Sequence, residues 1–258
     1  MFEIETVEII GGKFAMGSSV DEIDEYISSF SYAYKDFTRK EVESWFAKQI
    51  PKNWMMIPSF HLATYPITNF QYSEFERYSF DSIMLSNIDK PLCPVEGVDF
   101  CDALAFCQFM SAVDSEYIYR LPTEAEWEFA ASSRGRFRFP WGDEFLPNRA
   151  NTAELRFGET SEVKRFEKGA SEQGIFDLAG NVEEWTSSMY LPYPGGKYVA
   201  DHISKESGIT YPILRGGTYA HHGDLCLASR RHGFRQDYSI AGFRIVKHKN
   251  TTPHSTIT

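Results

Sequence analysis

The chain has 258 residues, which is enough to bury one large hydrophobic core or two small ones. Its formal net charge is −10 and its pI is about 5.2, so it repels phosphate backbones and we expect no binding to nucleic acid. The sequence contains no run of about 18 apolar residues and no basic start followed by an apolar stretch. We therefore expect a cytoplasmic protein without a membrane segment.

The first half of the chain shows both strand and helix patterns. Apolar residues alternate around a Gly-Gly pair in residues 6–17, which predicts a β-hairpin with a tight turn at the glycines. The apolar spacing in residues 21–48 predicts helix. Two further helices are predicted over residues 69–78 and from about residue 99 to residue 113.

Two capping boxes indicate where helices begin. Thr68 is followed three residues later by Gln71, and Thr123 is followed by Glu126 at the same spacing. Beyond residue 133, Gly, Pro, Asn and Ser interrupt the chain every few residues. This second half is therefore expected to form loops around short strands.

The four cysteines are irregularly spaced, at Cys93, Cys101, Cys107 and Cys226. Their spacing matches neither a zinc ribbon nor a CxxC motif. Because thiols stay reduced in the cytoplasm, we expect free thiols and no disulfide framework.

Eight segments in order resemble one known domain family, the formylglycine-generating-enzyme or sulfatase-modifying-factor domain, over roughly residues 6–247. The segments are IIGGKFAMGS, YPITNFQYSEF, PVEGVDFCDALAFCQF, RLPTEAEWEFAA, FPWGD, GIFDLAGNVEEWTSS, RGGTY and AGFRIV. The resemblance implies an α+β, C-type-lectin-like fold with two main helices, small antiparallel sheets and long loops. It also implies a single domain over residues 1–248 with a helical insert at about residues 21–50, followed by a frayed tail at 249–258.

The resemblance implies a structural calcium ion beside the GNVEEW motif. The positions that match its ligands are the side chains of Asp177 and Glu184 and the carbonyl oxygens of Gly180 and Val182. Calcium prefers hard oxygen ligands of this kind. In the alternative interpretation, the two carboxylates only cap turns. The family has a second calcium site, and the resemblance implies that Asn151 is one of its ligands, although the remaining ligands are not evident.

The stretch RGGTYAHHGDLC (residues 215–226) matches the position where the family's oxidases bind copper(I) through two cysteines. Here the two matching positions are His221 and Cys226, and Thr218 takes the place of a serine used in family catalysis. Copper(I) prefers soft thiolates, and a single cysteine cannot perform the thiol exchange of the family oxidases. Standard formylglycine generation is therefore not expected.

Other interpretations of the same stretch remain open. His222 and Asp224 form an HxD pair, which is half of a facial triad for non-haem iron, and His232 or His248 could supply the second histidine. Alternatively, His221 and His222 line a groove and the cysteine is simply buried. Copper and iron both stay candidate cofactors.

A basic segment near the end of the chain suggests a ligand groove. Arg231, His232 and Arg235 are predicted to face it, because arginine binds carboxylates and phosphates well. Arg244, in the AGFRIV segment, is expected to be structural.

Two functions follow from these observations. The first is a family-type, metal- or oxygen-dependent oxidative tailoring enzyme that acts on a peptide or a small metabolite, with Thr218, His221, His222 and Cys226 as catalytic residues. The alternative is a non-catalytic module that binds a ligand or a protein. The sequence does not indicate an oligomeric state.

Overall fold

The computed structural model describes residues 2–78, 86–200, 210–233 and 240–251. The described residues form five α-helices: α1 (Val20–Ser29), α2 (Arg39–Phe46), α3 (Asn69–Glu76), α4 (Phe100–Val113) and α5 (Glu124–Ala131). They also form ten strands: β1 (Thr6–Ile9), β2 (Gly12–Met16), β3 (Asn53–Ile57), β4 (Phe60–Ala63), β5 (Tyr117–Arg120), β6 (Glu183–Met189), β7 (Pro212–Arg215), β8 (His232–Gly233), β9 (Ala241–Gly242) and β10 (Val246–Lys249).

The predicted helices are present, and their N-termini are capped as the sequence indicates. At the start of α3, Thr68 Oγ1 accepts the Gln71 N–H at 3.3 Å, and Gln71 Oε1 accepts the Thr68 N–H at 3.0 Å. The same reciprocal pair joins Thr123 and Glu126 at the start of α5. These caps satisfy backbone donors that have no partner inside a helix.

Residues 20–49 form two short α-helices and two 3-10 turns rather than one long helix. Ser19 and Thr38 each begin a helix with a capping box, so the sequence contains two start signals in this segment. The buried faces of α1 and α2 join a cluster with Phe139 and Leu227, which connects this helical segment to the second half of the chain.

The predicted hairpin at residues 6–17 is wrong. Strand β1 pairs with β4, and β2 pairs with β3, so the two strands on either side of Gly11 belong to different sheets. A Cβ added to Gly11 would lie 2.2 Å from the carbonyl oxygen of Ile57. The glycine is needed because the chain passes close to another backbone, not because it turns back on itself.

The strands form two four-stranded sheets and one two-stranded sheet. Their orders are β1-β4-β10-β5, β2-β3 and β8-β7-β6-β9. All pairs are antiparallel except β6 with β9, which is parallel. The small sheets and long loops agree with the expected α+β class.

The end of the described chain is still part of a sheet. Lys249, placed in a frayed tail by the sequence, is the last residue of β10 and pairs with Tyr117. The next residue, Asn250, donates its N–H to the carbonyl of Glu116 at 2.8 Å. Residues 252–258 lie outside the described residues. No helix among the described residues is both long and apolar enough to span a bilayer.

Candidate functional site

The loop after β7 (residues 216–230), which we call the RGG loop, carries the residues singled out in the RGGTYAHHGDLC stretch. Gly216 and Gly217 turn the chain with φ of +100° and +69°, values that favour glycine. Arg215 holds the two ends of the loop together, since its buried guanidinium donates to the carbonyl of Ala228 at 2.8 Å and that of Arg230 at 3.3 Å. The loop geometry is therefore fixed from the core.

Two of the four predicted catalytic residues lie in the interior. Cys226 is fully buried, and burial raises the pKa of its thiol well above the usual value. The thiol is therefore protonated at neutral pH and is a poor nucleophile. Thr218 is also fully buried, and its Oγ1 accepts the Ala220 N–H at 3.1 Å.

His221 contacts His232, not only its sequence neighbours. The two imidazole rings are perpendicular, with centroids 5.6 Å apart. Burial lowers the pKa of His221 to about 4. This imidazole is therefore neutral at neutral pH, the protonation state in which histidine binds metal ions.

His232 is positioned by a buried carboxylate that sequence reasoning did not single out. Its Nδ1 lies 2.9 Å from both carboxylate oxygens of Glu183, whose side chain is 1% exposed. Burial would raise the pKa of Glu183, but the charge and hydrogen bond of His232 outweigh burial and the pKa is lowered. Because Glu183 bonds to Nδ1 of His232, only the second ring nitrogen, Nε2, is left for other partners. The His232 side chain is 21% exposed.

The HxD pair is split between two environments. The His222 side chain is 44% exposed, and its Nδ1 lies 3.2 Å from Glu154 Oε1. Asp224 is buried, and burial raises the pKa of its carboxyl. Burial acts against ionisation of Glu154 too, but hydrogen bonds, including one from the Gly223 amide, lower its pKa overall.

The predicted ligand-binding arginines do not form a surface groove among the described residues. Arg231 is 1% exposed, and its guanidinium forms a two-pronged ion pair with Glu124 at 2.9 and 3.0 Å. It also donates to the carbonyls of Lys48 and Leu191. This position leaves Arg231 no open surface for a ligand. Arg235 lies outside the described residues.

The side chains predicted to bind calcium lie close to a buried arginine. Arg244 contacts both carboxylate oxygens of Glu184, at 2.5 and 2.7 Å, and Trp127 Nε1–H donates to the same carboxylate at 2.9 Å. Asp177 lies nearby and is partly buried. It accepts the Lys164 N–H at 3.0 Å, and burial raises its pKa to about 6. Arg244 thus has the structural role expected for it.

The other predicted calcium ligands belong to the same turn. Gly180 has φ of +71°, and a Cβ there would lie 2.2 Å from the carbonyl oxygen of Asn151. Val182 is fully buried. Asn151 donates its side-chain N–H to the carbonyl of Glu159 at 2.9 Å, while its buried Oδ1 has no hydrogen-bond donor within the described residues. Calcium at this turn stays a prediction.

Within the described ranges, no three His, Cys, Asp or Glu side chains are arranged to hold one metal ion. The ligand atoms at this site can nevertheless be compared with the ligand atoms that copper and iron prefer. A copper(I) site with two thiolates does not fit, because one of the two positions is a histidine, His221. Two imidazoles beside a carboxylate are donors that suit iron or copper(II).

Glu183 and Glu154 are the two site residues that sequence reasoning missed. A signal for the first was present, since Glu183 and Glu184 are adjacent acids within a strand pattern. Neighbouring strand residues point to opposite faces, so both could be buried only if each had its own basic partner. Nothing in the sequence indicated Glu154, because its partners come from the helical segment and the loop.

The comparisons with known proteins agree with this architecture. A family model described as "Sulfatase-modifying factor enzyme 1-like domain" matches residues 3–249. The chain is 38% identical over 109 residues to the "Inactive C-alpha-formylglycine-generating enzyme 2" of Bos taurus, a match that covers 38% of this chain and 33% of that protein. It is 34% identical over 171 residues to the "Hercynine oxygenase" of Mycolicibacterium thermoresistibile, which covers 59% of this chain and 35% of that protein.

A solved structure shows the same fold. The structure of PvdO from Pseudomonas aeruginosa superposes with a TM-score of 0.70 at 19% identity, covering 95% of this chain and 94% of that one. The two curated relatives are matched over only about a third of their length. Because the family model matches nearly the whole chain, the protein belongs to the sulfatase-modifying factor, or formylglycine-generating-enzyme, family and has its C-type-lectin-like α+β fold.

Proposed function

We propose that the protein is an oxidative tailoring enzyme that uses oxygen to modify a small metabolite or a peptide, and that it is not a standard formylglycine generator. One observation carries the proposal. His221, on the loop where the family's oxidases have their catalytic residues, contacts His232 of β8, which is bonded to the buried carboxylate of Glu183 in β6. The similarity to a hercynine oxygenase supports oxidation of a small molecule as the reaction class.

Glu183 accepts the Nδ1–H of His232 and so orients the ring, which makes the second ring nitrogen of His232 the atom that would bind a metal ion. His221 stays neutral because burial lowers its pKa to about 4. Cys226 packs in the interior and takes no part in chemistry.

For the cofactor we propose iron or copper, bound through the nitrogens of His221 and His232. Metal binding requires unprotonated imidazole, and the low pKa of His221 supplies it without a proton having to leave. The metal would supply oxygen activation. The chain's own residues would bind the substrate and orient the imidazoles.

The test is metal binding compared between matched histidine variants. The protein is loaded without oxygen with iron(II) or copper(II), passed through a desalting column, and its metal content is measured. We expect His221→Gln and His232→Gln to lose the metal, whereas Cys226→Ser keeps it. His248→Gln is the control, because His248 is exposed on β10, outside the loop, and was itself a candidate ligand.

Oxygen consumption with thiol-containing peptides and small thiols then tests turnover. Retention of metal by His232→Gln together with its loss from Cys226→Ser would disprove the assignment of ligands. Conversion of a sulfatase-type cysteine peptide to formylglycine by the wild-type protein would disprove the exclusion of the standard activity.

We also propose a structural calcium ion bound by Asp177 and Glu184 with the carbonyls of Gly180 and Val182. The buried carboxylate of Glu184, the partly buried carboxylate of Asp177 and a turn constrained by a left-handed glycine support it. A calcium-binding native state would be stabilised by calcium through mass action. Equal melting temperatures in calcium and in EGTA would disprove the site.

A non-catalytic binding module is the second candidate. It is favoured by the absence of a preformed metal cluster among the residues described, and by the similarity to a relative named as inactive. Under this hypothesis neither iron nor copper binds stoichiometrically, and every histidine variant behaves like the wild type.

A further inference from the structure

A cavity of about 540 Å³ lies between helix α1 and the segment at residues 138–147. Its described lining residues include none of the imidazole or thiol groups discussed above. The helical segment at residues 20–49 forms one wall and so gives this chain a pocket outside the RGG loop. A volume of several hundred Å³ is enough for a small organic ligand.

The walls of the cavity are mainly aromatic. Phe30 packs against Phe145 with ring centroids 5.6 Å apart and against Phe139 at 6.3 Å. Tyr26 continues the same wall, and Tyr32, which is 43% exposed, stands at the rim. These rings offer a flat apolar surface to a ring of similar size.

The polar lining of the cavity is predominantly anionic. Three carboxylates line it, Asp143, Glu144 and Glu154, against one guanidinium, that of Arg138. The Arg138 guanidinium is already paired with Glu25 outside the cavity. Carboxylates and the faces of aromatic rings both attract a cation, so the lining favours a positively charged ligand.

Glu154 connects the cavity to the RGG loop. Its Oε1 accepts the Tyr32 hydroxyl at 2.8 Å and the Gly223 N–H at 3.0 Å. Phe145 touches the same point of the loop, since a Cβ added to Gly223 would lie 2.3 Å from its ring. A ligand that displaces either the carboxylate or the ring therefore changes the surroundings of the Gly223 amide.

We propose that this cavity binds a small aromatic amine, with its ring against Phe30, Phe145 and Tyr32 and its ammonium group beside Glu154. The site does not depend on the proposed oxidative activity. A ligand bound there changes the surroundings of the RGG loop through Glu154 and Phe145, which both contact Gly223.

The test compares two probes that share a ring and differ in charge. Tyramine and 4-hydroxyphenylacetate are titrated separately into the full-length ¹⁵N-labelled protein, and amide signals are followed by NMR. We expect tyramine to shift the Gly223 and Phe145 amides in a saturable manner, and the acid to shift neither. Equal binding of the two probes, or no saturable binding of tyramine, would overturn the proposal.

Variants then locate the bound probe. Glu154→Gln should weaken tyramine binding about tenfold, because a charged hydrogen bond becomes neutral. Glu43→Gln, which removes an exposed carboxylate from α2, is the matched control and should leave affinity unchanged. Ser29→Trp fills the cavity from an exposed helix position without disturbing the Glu154 contacts and should abolish binding. Undiminished tyramine binding by Ser29→Trp would place the probe elsewhere and refute the site.

Discussion

Replacing Asp177 with Asn should stabilise the calcium-free protein at neutral pH. Burial raises the pKa of this carboxyl from 3.8 to about 6, a difference of about 2 units. Since one pKa unit corresponds to about 1.4 kcal/mol, keeping Asp177 ionised in the native state costs about 3 kcal/mol at pH 8. Asp177 accepts one hydrogen bond from the Lys164 amide and one from the Asn181 side chain. The substitution removes the cost of ionisation but replaces one accepting oxygen with a donor, so it loses one of these two bonds, worth roughly 1 kcal/mol. The expected net gain is about 2 kcal/mol.

The sign of the effect fixes its pH dependence. Because the folded pKa lies above the unfolded one, protonation of Asp177 favours the native state at low pH. That contribution is lost as the pH rises from about 4 through about 6. The side-chain amide of the variant does not titrate, and asparagine tolerates the φ of +55° at this position. The advantage of Asp177→Asn should therefore fall from about 2 kcal/mol at pH 8 to near zero at pH 4.5.

The assay is urea unfolding of both proteins in EGTA at pH 4.5, 6 and 8, with Asp89→Asn as an exposed control. A stability difference that does not change with pH would refute the reasoning. Adding calcium should reverse the order, since an ionised carboxylate binds the cation and an amide binds it less strongly. If calcium stabilises both proteins equally, Asp177 is not one of its ligands.

Burial leads to three more predictions. In native protein, iodoacetamide should modify the exposed Cys101 quickly and leave Cys226 unmodified, as measured by mass spectrometry; rapid labelling of Cys226 would contradict its interior position. Arg231→Met should lower the free energy of unfolding by about 3–5 kcal/mol because it breaks a buried ion pair. The matched change Arg39→Met on an exposed pair should have little effect, and equal effects would refute the argument. Gly180→Ala should destabilise by about 2 kcal/mol or more, since its φ is +71° and the new Cβ would meet a carbonyl oxygen; an unchanged urea midpoint would contradict this.

Local signals in the sequence were enough to place the helices but not to pair the strands. The capping boxes at Thr68 and Thr123 are contacts between residues three apart, so the sequence alone contains both partners. The pairing of β1 with β4 joins residues more than fifty positions apart. Gly11 suggested a hairpin turn because the actual need for glycine there is not visible in the local sequence. That need, the close approach of the Ile57 carbonyl, is likewise a long-range contact.

The same limit applies to the site. The sequence drew attention to the RGG loop through family resemblance, but residue type does not reveal burial. Arg231 has the chemistry of an anion ligand and is enclosed with Glu124 in the core. Glu183 became a candidate only when β6 and β8, on either side of β7, were seen to bring it to His232.

The buried arginine network explains how the loop can change its chemistry without losing its shape. Arg215 ties both ends of the loop together and is itself held by Glu124 and Glu128 at 3.1 and 3.0 Å, all within the core. None of these contacts involves the side chain at position 221. The side chain at position 221 is therefore not needed to hold the loop, and here it is an imidazole that contacts His232. Residues that act on a substrate are free to vary because residues elsewhere determine where the loop lies.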